Sequence, residues 1–337
     1  MGYKSSCYVN GSYPLLLFLL MKTEKNLNDI FFFLGRGVPE SIAKNLKNSW
    51  HLNIYFKKKN KFIKYIEMYL LYRNLEKFLI REKLLEKNIY LQDNVSYSQF
   101  FMNHINNCFL LEDGLANYNK QLYNEIQKEQ TRQKRLKIVR DRFLKRSKIY
   151  YKIFGLSEKI KKIYLTGIAE IPEIIKDKVE IINLKEKWEQ LSLEEQEEIL
   201  KIFNLKNSDL IKWQKLKNKV LLITQPLSED GIITEKEKIE MYKEIIEKNK
   251  LENIMIKPHP REKTNYKKIF PDVELIEGKF PLEILMLLGI NFKEVITIFS
   301  TAALNFKGIT NVNFIGTEDN IYLKEKVGEI KKVYYKI

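Results

Sequence analysis

Val220-Leu221-Leu222-Ile223-Thr224-Gln225-Pro226 decides how this chain is built. Four large apolar residues in a row, closed by Thr, Gln and Pro, are too few for a buried helix and have the unbroken apolar character of a strand covered on both faces, as in a parallel sheet. Before this run the pattern is helical. Ser192 to Asn204 opens on a capping box, Ser192 with Glu195, and a further turn of helix carries Trp213. A sheet that restarts at Val220 after such a stretch begins a second domain, with the boundary between residues 205 and 218. The chain therefore divides into residues 1–205 and 206–337, in keeping with a length of 337 residues, more than one compact unit usually holds.

The same alternation runs through both parts. Short apolar runs at Lys4 to Val9, Ile30 to Leu34, Asn88 to Leu91, Cys108 to Leu111, Ile163 to Thr166 and Lys178 to Ile182 read as strands, with a long helical stretch at Lys61 to Leu85. After Thr224 come a helix from Thr234 to Lys250 with its own capping box (Thr234, Glu237) and strands at Ile254 to Lys257 and Val273 to Ile276. A helix at Leu282 to Leu288 and strands at Val295 to Phe299 and Val312 to Ile315 complete the pattern. Strands alternating with helices predict an α/β fold of two Rossmann-like αβα domains facing a central cleft, with ligands taken up beyond the carboxyl ends of the strands.

Composition limits the function. With 45% apolar and 30% charged residues the chain is globular rather than disordered. Two cysteines, Cys7 and Cys108, are too few for a disulfide framework or a cysteine-rich metal site and point to a reducing, cytoplasmic compartment. Pro14 to Met21 is apolar but far shorter than the ~20 residues a membrane span needs, so it reads as a core helix.

The formal charge is +16 and is unevenly spread: from Lys120 to Lys162, fifteen Lys or Arg stand against four Asp or Glu. This basic helical segment, residues 120–163, suits an anionic partner: a membrane surface, an anionic glycolipid or nucleic acid. Its aromatics are not interleaved as a base-stacking platform, which argues against nucleic acid. Tyr150, Tyr151 and Phe154 within it fit peripheral contact with the inner membrane.

Four motifs fall at predicted strand ends. Glu112-Asp113-Gly114 follows the strand Cys108 to Leu111; Thr224 to Gly231, containing Gln225 and Asp230, follows the strand that opens the second domain. Lys257-Pro258-His259-Pro260-Arg261 follows the strand Ile254 to Lys257, its two prolines restricting the backbone so that His259 leaves the strand in a defined direction. Phe299-Ser300-Thr301-Ala302-Ala303-Leu304 runs from a strand into a helix, whose free first-turn amides and positive dipole end, with the Ser300 and Thr301 hydroxyls, suit a phosphate.

An acid or base, a histidine and a phosphate-holding turn are the parts for transferring a group from an activated phosphate donor. No Asp-x-Asp is present to hold a divalent ion under a diphosphate, and no Gly-x-x-x-x-Gly-Lys-Ser/Thr to bind ATP. Gly35-Arg36-Gly37 lacks the third glycine of a dinucleotide fingerprint. A donor that needs no metal is favoured.

In order and spacing, Tyr8-Val9-Asn10, Leu111-Glu112-Asp113-Gly114, Thr224 to Gly231, Lys257 to Arg261, Phe299 to Leu304 and Asn311-Val312 resemble the bacterial lipooligosaccharide sialyltransferases of glycosyltransferase family 52. The resemblance implies a GT-B type fold, an N-terminal acceptor-side domain and a C-terminal domain binding the CMP-sugar. It implies CMP-sialic acid as donor substrate, inversion at the anomeric carbon, no metal or cofactor, and a galactose-terminated glycan or lipooligosaccharide as acceptor. It also implies a homodimer, intertwined through the part of the chain that holds residues 120–163. Carried over, it makes His259 the general acid facing the leaving phosphate. Ser300, Thr301, Gln225, Lys257 and Gly114 fall to the donor. The base stays open between Asp230 and Asp113. A polysialyltransferase or another nucleotide-sugar glycosyltransferase is the alternative within enzymes, and a basic nucleic-acid-binding protein the alternative outside them.

Overall fold

The computed structural model describes residues 2–52, 61–95, 97–130, 153–214, 219–248 and 254–337. The chain falls into two compact units, Met1–Ile202 and Phe203–Ile337. Half of the basic segment, residues 131–152 with Tyr150 and Tyr151, lies outside the described residues. The segment begins as a helix, Lys120–Gln130, but its far end is a strand from Ile160, and Phe154 is buried in the core of the first unit, which takes it away from the membrane contact expected of it.

The first unit is built on a seven-stranded parallel sheet: β1 (Ser5–Val9), β2 (Ile30–Leu34), β3 (Ser49–His51), β4 (Asn88–Leu91), β5 (Cys108–Leu111), β6 (Ile160–Leu165) and β7 (Val179–Ile181). Their order across the sheet is β3-β2-β1-β4-β5-β6-β7. The chain winds one way from β1, then starts again at β4 and winds the other way, so the topological switch lies between β1 and β4. Every residue of β1 and β2 is buried, as expected of central parallel strands covered by helices on both faces. The apolar run near the N-terminus is one of those covers: Ser12–Met21 is a helix with all but two of its residues buried. Among the described residues, no helix is long and apolar enough to cross a membrane.

The second unit repeats the plan with six strands: β8 (Val220–Ile223), β9 (Ile254–Lys257), β10 (Glu274–Leu275), β11 (Glu294–Thr297), β12 (Asn311–Phe314) and β13 (Val333–Tyr335). They lie in the order β10-β9-β8-β11-β12-β13, parallel except for β13, which runs antiparallel to β12. The switch point is between β8 and β11. Two doubly wound units in succession make the GT-B type of α/β fold.

Both predicted capping boxes are formed. Glu195 accepts from the Ser192 backbone N at 2.9 Å while the Ser192 hydroxyl accepts from the Glu195 N at 3.3 Å. Thr234 and Glu237 make the same exchange at 2.6 and 3.2 Å.

Candidate active site

In the second unit the loops beyond the carboxyl ends of β8, β9, β10 and β11 bring most of the singled-out residues together. Neighbouring strands are ~4.8 Å apart, so the ends of β9 and β11, on either side of β8, lie ~10 Å from one another.

His259 leaves β9 on a tight turn, closed by the Glu262 N donating to the His259 carbonyl at 2.9 Å. Its Nδ1 accepts from the Arg261 backbone N at 3.2 Å, which places the ring proton on Nε2. Burial, reinforced by the charges of Arg261 and Lys257, pulls its pKa down to about 4. At neutral pH His259 is thus an uncharged donor through Nε2–H. A depression of about 390 Å³ opens beside it, lined also by Glu262, Glu277, Gly278 and Lys279. Sequence reasoning passed over Glu277 because nothing but its place after β10 marks it.

Gln225 and Lys257 bond to neighbouring loops of the unit. Gln225 Oε1 accepts from the Phe299 N at 3.1 Å, tying the ends of β8 and β11 together across the switch point, and its own N donates to the Tyr242 hydroxyl at 2.7 Å. The amine of Lys257 is buried, donates to the Gly278 carbonyl at 2.8 Å and stands 4.3 Å from the centre of the Phe280 ring. Burial lowers its pKa to about 7. Each holds a loop of the site in place.

Ser300 and Thr301 stand half-buried at the end of β11, with the Ser300 N donating to Thr297 Oγ1 at 3.0 Å. The helix that follows corrects the expectation. Thr301–Phe306 is a six-residue 3₁₀ helix, stopped by a turn at Lys307-Gly308 and too short for a useful macrodipole. What remains for an anion are the turn amides and the two hydroxyls; that of Ser300 makes no capping bond.

Asp230 sits on the loop after β8, and both its oxygens are held by Arg261, Nη1 to Oδ1 at 2.5 Å and Nη2 to Oδ2 at 3.0 Å. Its neighbour Glu229 accepts from the Lys263 N at 2.6 Å and the Lys238 ammonium at 2.9 Å. Partial burial works against its ionisation, but these bonds and that from Ser228 bring its pKa down to about 2.

The first unit carries the other cluster. Beyond β5, the two acids of Glu112-Asp113-Gly114 divide their tasks. Glu112 is fully buried and accepts from the hydroxyls of Tyr13 and Tyr118 at 2.6 and 2.5 Å and from the Thr166 N at 2.6 Å. Burial raises its pKa; it fastens β5 to its surroundings. Asp113 is half-exposed and is gripped by two side-chain amides, Gln92 Nε2 to Oδ1 at 2.7 Å and Asn94 Nδ2 to Oδ2 at 2.6 Å, while its N donates to Asn117 Oδ1 at 2.6 Å. Gly114 takes φ of 58°, the left-handed turn that lets the chain double back after the carboxylate.

Gln92 also accepts from the Asn10 N at 2.8 Å, so a relay crosses the β1/β4 switch point to Asp113. Gly35 and Gly37 pack against Asn10 so closely that a Cβ on either would overlap it. Gln92 and Asn94 carry no local signal that sequence reading could use.

Comparison with known proteins places the chain in a family and a fold. Residues 28–317 match glycosyltransferase family 52. An uncharacterized protein of Haemophilus influenzae is 36% identical over 330 residues, covering 96% of this chain and 97% of its own. Among solved structures, the α/β-galactoside α-2,3-sialyltransferase of Photobacterium phosphoreum overlays with a TM-score of 0.59 at 12% identity, over 93% of this chain and 90% of the other. The 2,6-sialyltransferase of Photobacterium sp. JT-ISH-224, solved with CMP and lactose, gives 0.54 at 16% identity, over 89% and 69%. These likenesses show the fold; the match along residues 28–317 shows the lineage. The chain belongs to glycosyltransferase family 52 and is a glycosyltransferase.

Proposed function

We propose that the protein is an inverting sialyltransferase that moves sialic acid from CMP-sialic acid to a terminal galactose of lipooligosaccharide or a related glycan. The observation that carries the reading is His259: an uncharged imidazole, its Nδ1 occupied by the Arg261 amide, beside a depression at the strand ends of the second unit. In this reading the depression takes the nucleotide, Glu277 accepts the ribose hydroxyls, and Ser300 and Thr301 donate to the single phosphate. The absence of Asp-x-Asp supports a donor that needs no metal.

The acceptor hydroxyl attacks the anomeric carbon, its proton passes to a carboxylate, and the bond to the phosphate oxygen breaks. The negative charge that grows on the departing phosphate strengthens the hydrogen bond from His259 Nε2–H and raises the imidazole's hold on a proton. As base, Asp113 is favoured over Asp230. Asp113 is oriented by two neutral amides with lone pairs to spare, whereas Asp230 has its charge matched by a guanidinium across both oxygens. A homodimer and contact with an anionic inner-membrane surface through residues 120–163 belong to the same reading and to a cytoplasmic location.

The test is CMP release from CMP-sialic acid with lactose as acceptor, in EDTA. Activity that survives EDTA and is lost in His259→Ala supports the reading; an enzyme without CMP release, or with a fully active His259→Ala variant, overturns it.

A further inference from the structure

The turn that presents His259 is governed by a side chain three residues further on. Glu262 is almost wholly buried. Its Oε1 accepts from the His259 backbone N at 2.7 Å and from the Thr224 hydroxyl at 2.6 Å. Its Oε2 accepts from the Tyr266 hydroxyl at 2.6 Å and lies 3.5 Å from the Lys238 ammonium. One oxygen therefore ties the start of the turn to the end of β8, and the other ties it to the interior.

Lys238 is itself completely buried and also meets Glu229 at 2.9 Å and Glu235 at 3.1 Å. Glu229 returns to the turn through the Lys263 N, and Glu235 through the Thr264 hydroxyl at 2.6 Å. The loops after β8 and β9 are thus fastened by one lysine and three carboxylates, and within that network Glu262 alone bonds to His259. A buried polar network with each member bonded is rigid, and an incomplete one is costly.

We propose that Glu262 is the positioning residue of His259. By holding the His259 N it shapes the turn that delivers the Arg261 N–H to Nδ1, and so keeps the ring proton on Nε2, pointed at the leaving group. The inference rests on the reading of His259 as the leaving-group donor. What does the holding is the reach of the Glu262 side chain rather than its charge, since Lys238 keeps two other carboxylate partners.

Length and charge can be separated. Glu262→Gln keeps the reach and an acceptor oxygen for the His259 N but removes the charge. Glu262→Asp keeps the charge and draws the oxygen back by about one methylene, and a displacement on the order of 1 Å in such a support can cost ~100-fold in rate. The readout that an ordinary structural role would not move is the tautomer of His259, followed by ¹⁵N NMR of the imidazoles. With only three histidines in the chain, His259→Ala assigns its signals.

The wild type is expected to show a neutral Nε2–H tautomer. Glu262→Gln should keep it with at least about a third of kcat, and Glu262→Asp should show mixed tautomers with kcat down ~100-fold and the donor KM little changed. The opposite ranking, with Asp resembling the wild type and Gln losing the tautomer, would make Glu262 a charge partner of Lys238 and overturn the proposal, as would a tautomer unaltered in both. Because the tautomer is read without turnover, an inactive wild type with the expected NMR result would count against the sialyltransferase reading and leave the positioning role standing.

Discussion

Replacing Asp113 and Asp230 in turn by Asn separates the two candidate bases, and the structure fixes how different the outcomes should be. Asp230 and Arg261 form a bidentate pair, yet Arg261 is 53% and Asp230 36% exposed at the side chain. Exposed pairs contribute ~0.2–1 kcal/mol. Even if all of that were lost from the transition state, at about 1.36 kcal/mol per factor of ten, Asp230→Asn would slow the reaction no more than ~5-fold. Asp113→Asn removes the group proposed to accept the acceptor's proton, a contribution of ~10²–10⁴-fold.

The variant also turns an amide N–H₂ toward Gln92 or Asn94, so melting curves must show that the fold survives. The assay is the initial rate of CMP release at saturating donor and acceptor, with Arg261→Met and the double variant closing the cycle on the ion pair. A drop beyond 100-fold in Asp230→Asn, with Asp113→Asn keeping more than a tenth of the activity, would refute the reasoning and move the base to the second unit.

Two further outcomes follow from burial and close approach. The folded pKa of His259, about 4, lies below its ordinary value of 6.5, so between these values the unfolded chain binds the proton first. Stability therefore falls as pH drops from 6.5 towards 4, and differential scanning calorimetry should show this acid-side loss to be smaller in His259→Asn. At Gly37 a Cβ would overlap the Asn10 carbonyl, a backbone group that cannot swing aside; Gly37→Ala should cost ~1–3 kcal/mol, read as a lower melting temperature.

The strands that build the two sheets were legible because burial on both faces leaves an uninterrupted apolar run. Ile30–Leu34, Asn88–Leu91, Cys108–Leu111 and Ile254–Lys257 stand where such runs predict them. The strands that escaped sequence reading lie at sheet edges. Ser49–His51 is half-buried throughout, and Val333–Tyr335 is largely exposed between lysines. An edge strand is recruited by its neighbour's free hydrogen bonds and need not carry an apolar pattern. β6 differs for a related reason. It begins at Ile160, earlier than the apolar run, because Lys161 and Lys162 point to solvent while the backbone already pairs with β5.

The candidate site was legible to the depth of its punctuation and no further. Prolines on both sides of His259, the glycine after Asp113 and the Ser-Thr pair after β11 are local backbone signals, and each falls at a strand end in the structure. The partners that give them direction are distant in sequence and ordinary in type: Gln92 and Asn94 for Asp113, Gln225 for the turn at Phe299, Thr224 and Lys238 for Glu262. A buried lysine at position 238 reads in sequence as one more surface charge of an acidic and basic helix. Only the fold shows that three carboxylates, two of them on loops that follow different strands, converge on it. Asp230, read from sequence as a candidate base, and its neighbour Glu229 show the same ambiguity. Polar residues clustered after a strand serve equally well to brace a neighbouring loop: both oxygens of Asp230 are committed to Arg261 on the loop that carries His259, and Glu229 gives one oxygen to the Lys263 N of that loop and the other to the buried ammonium of Lys238.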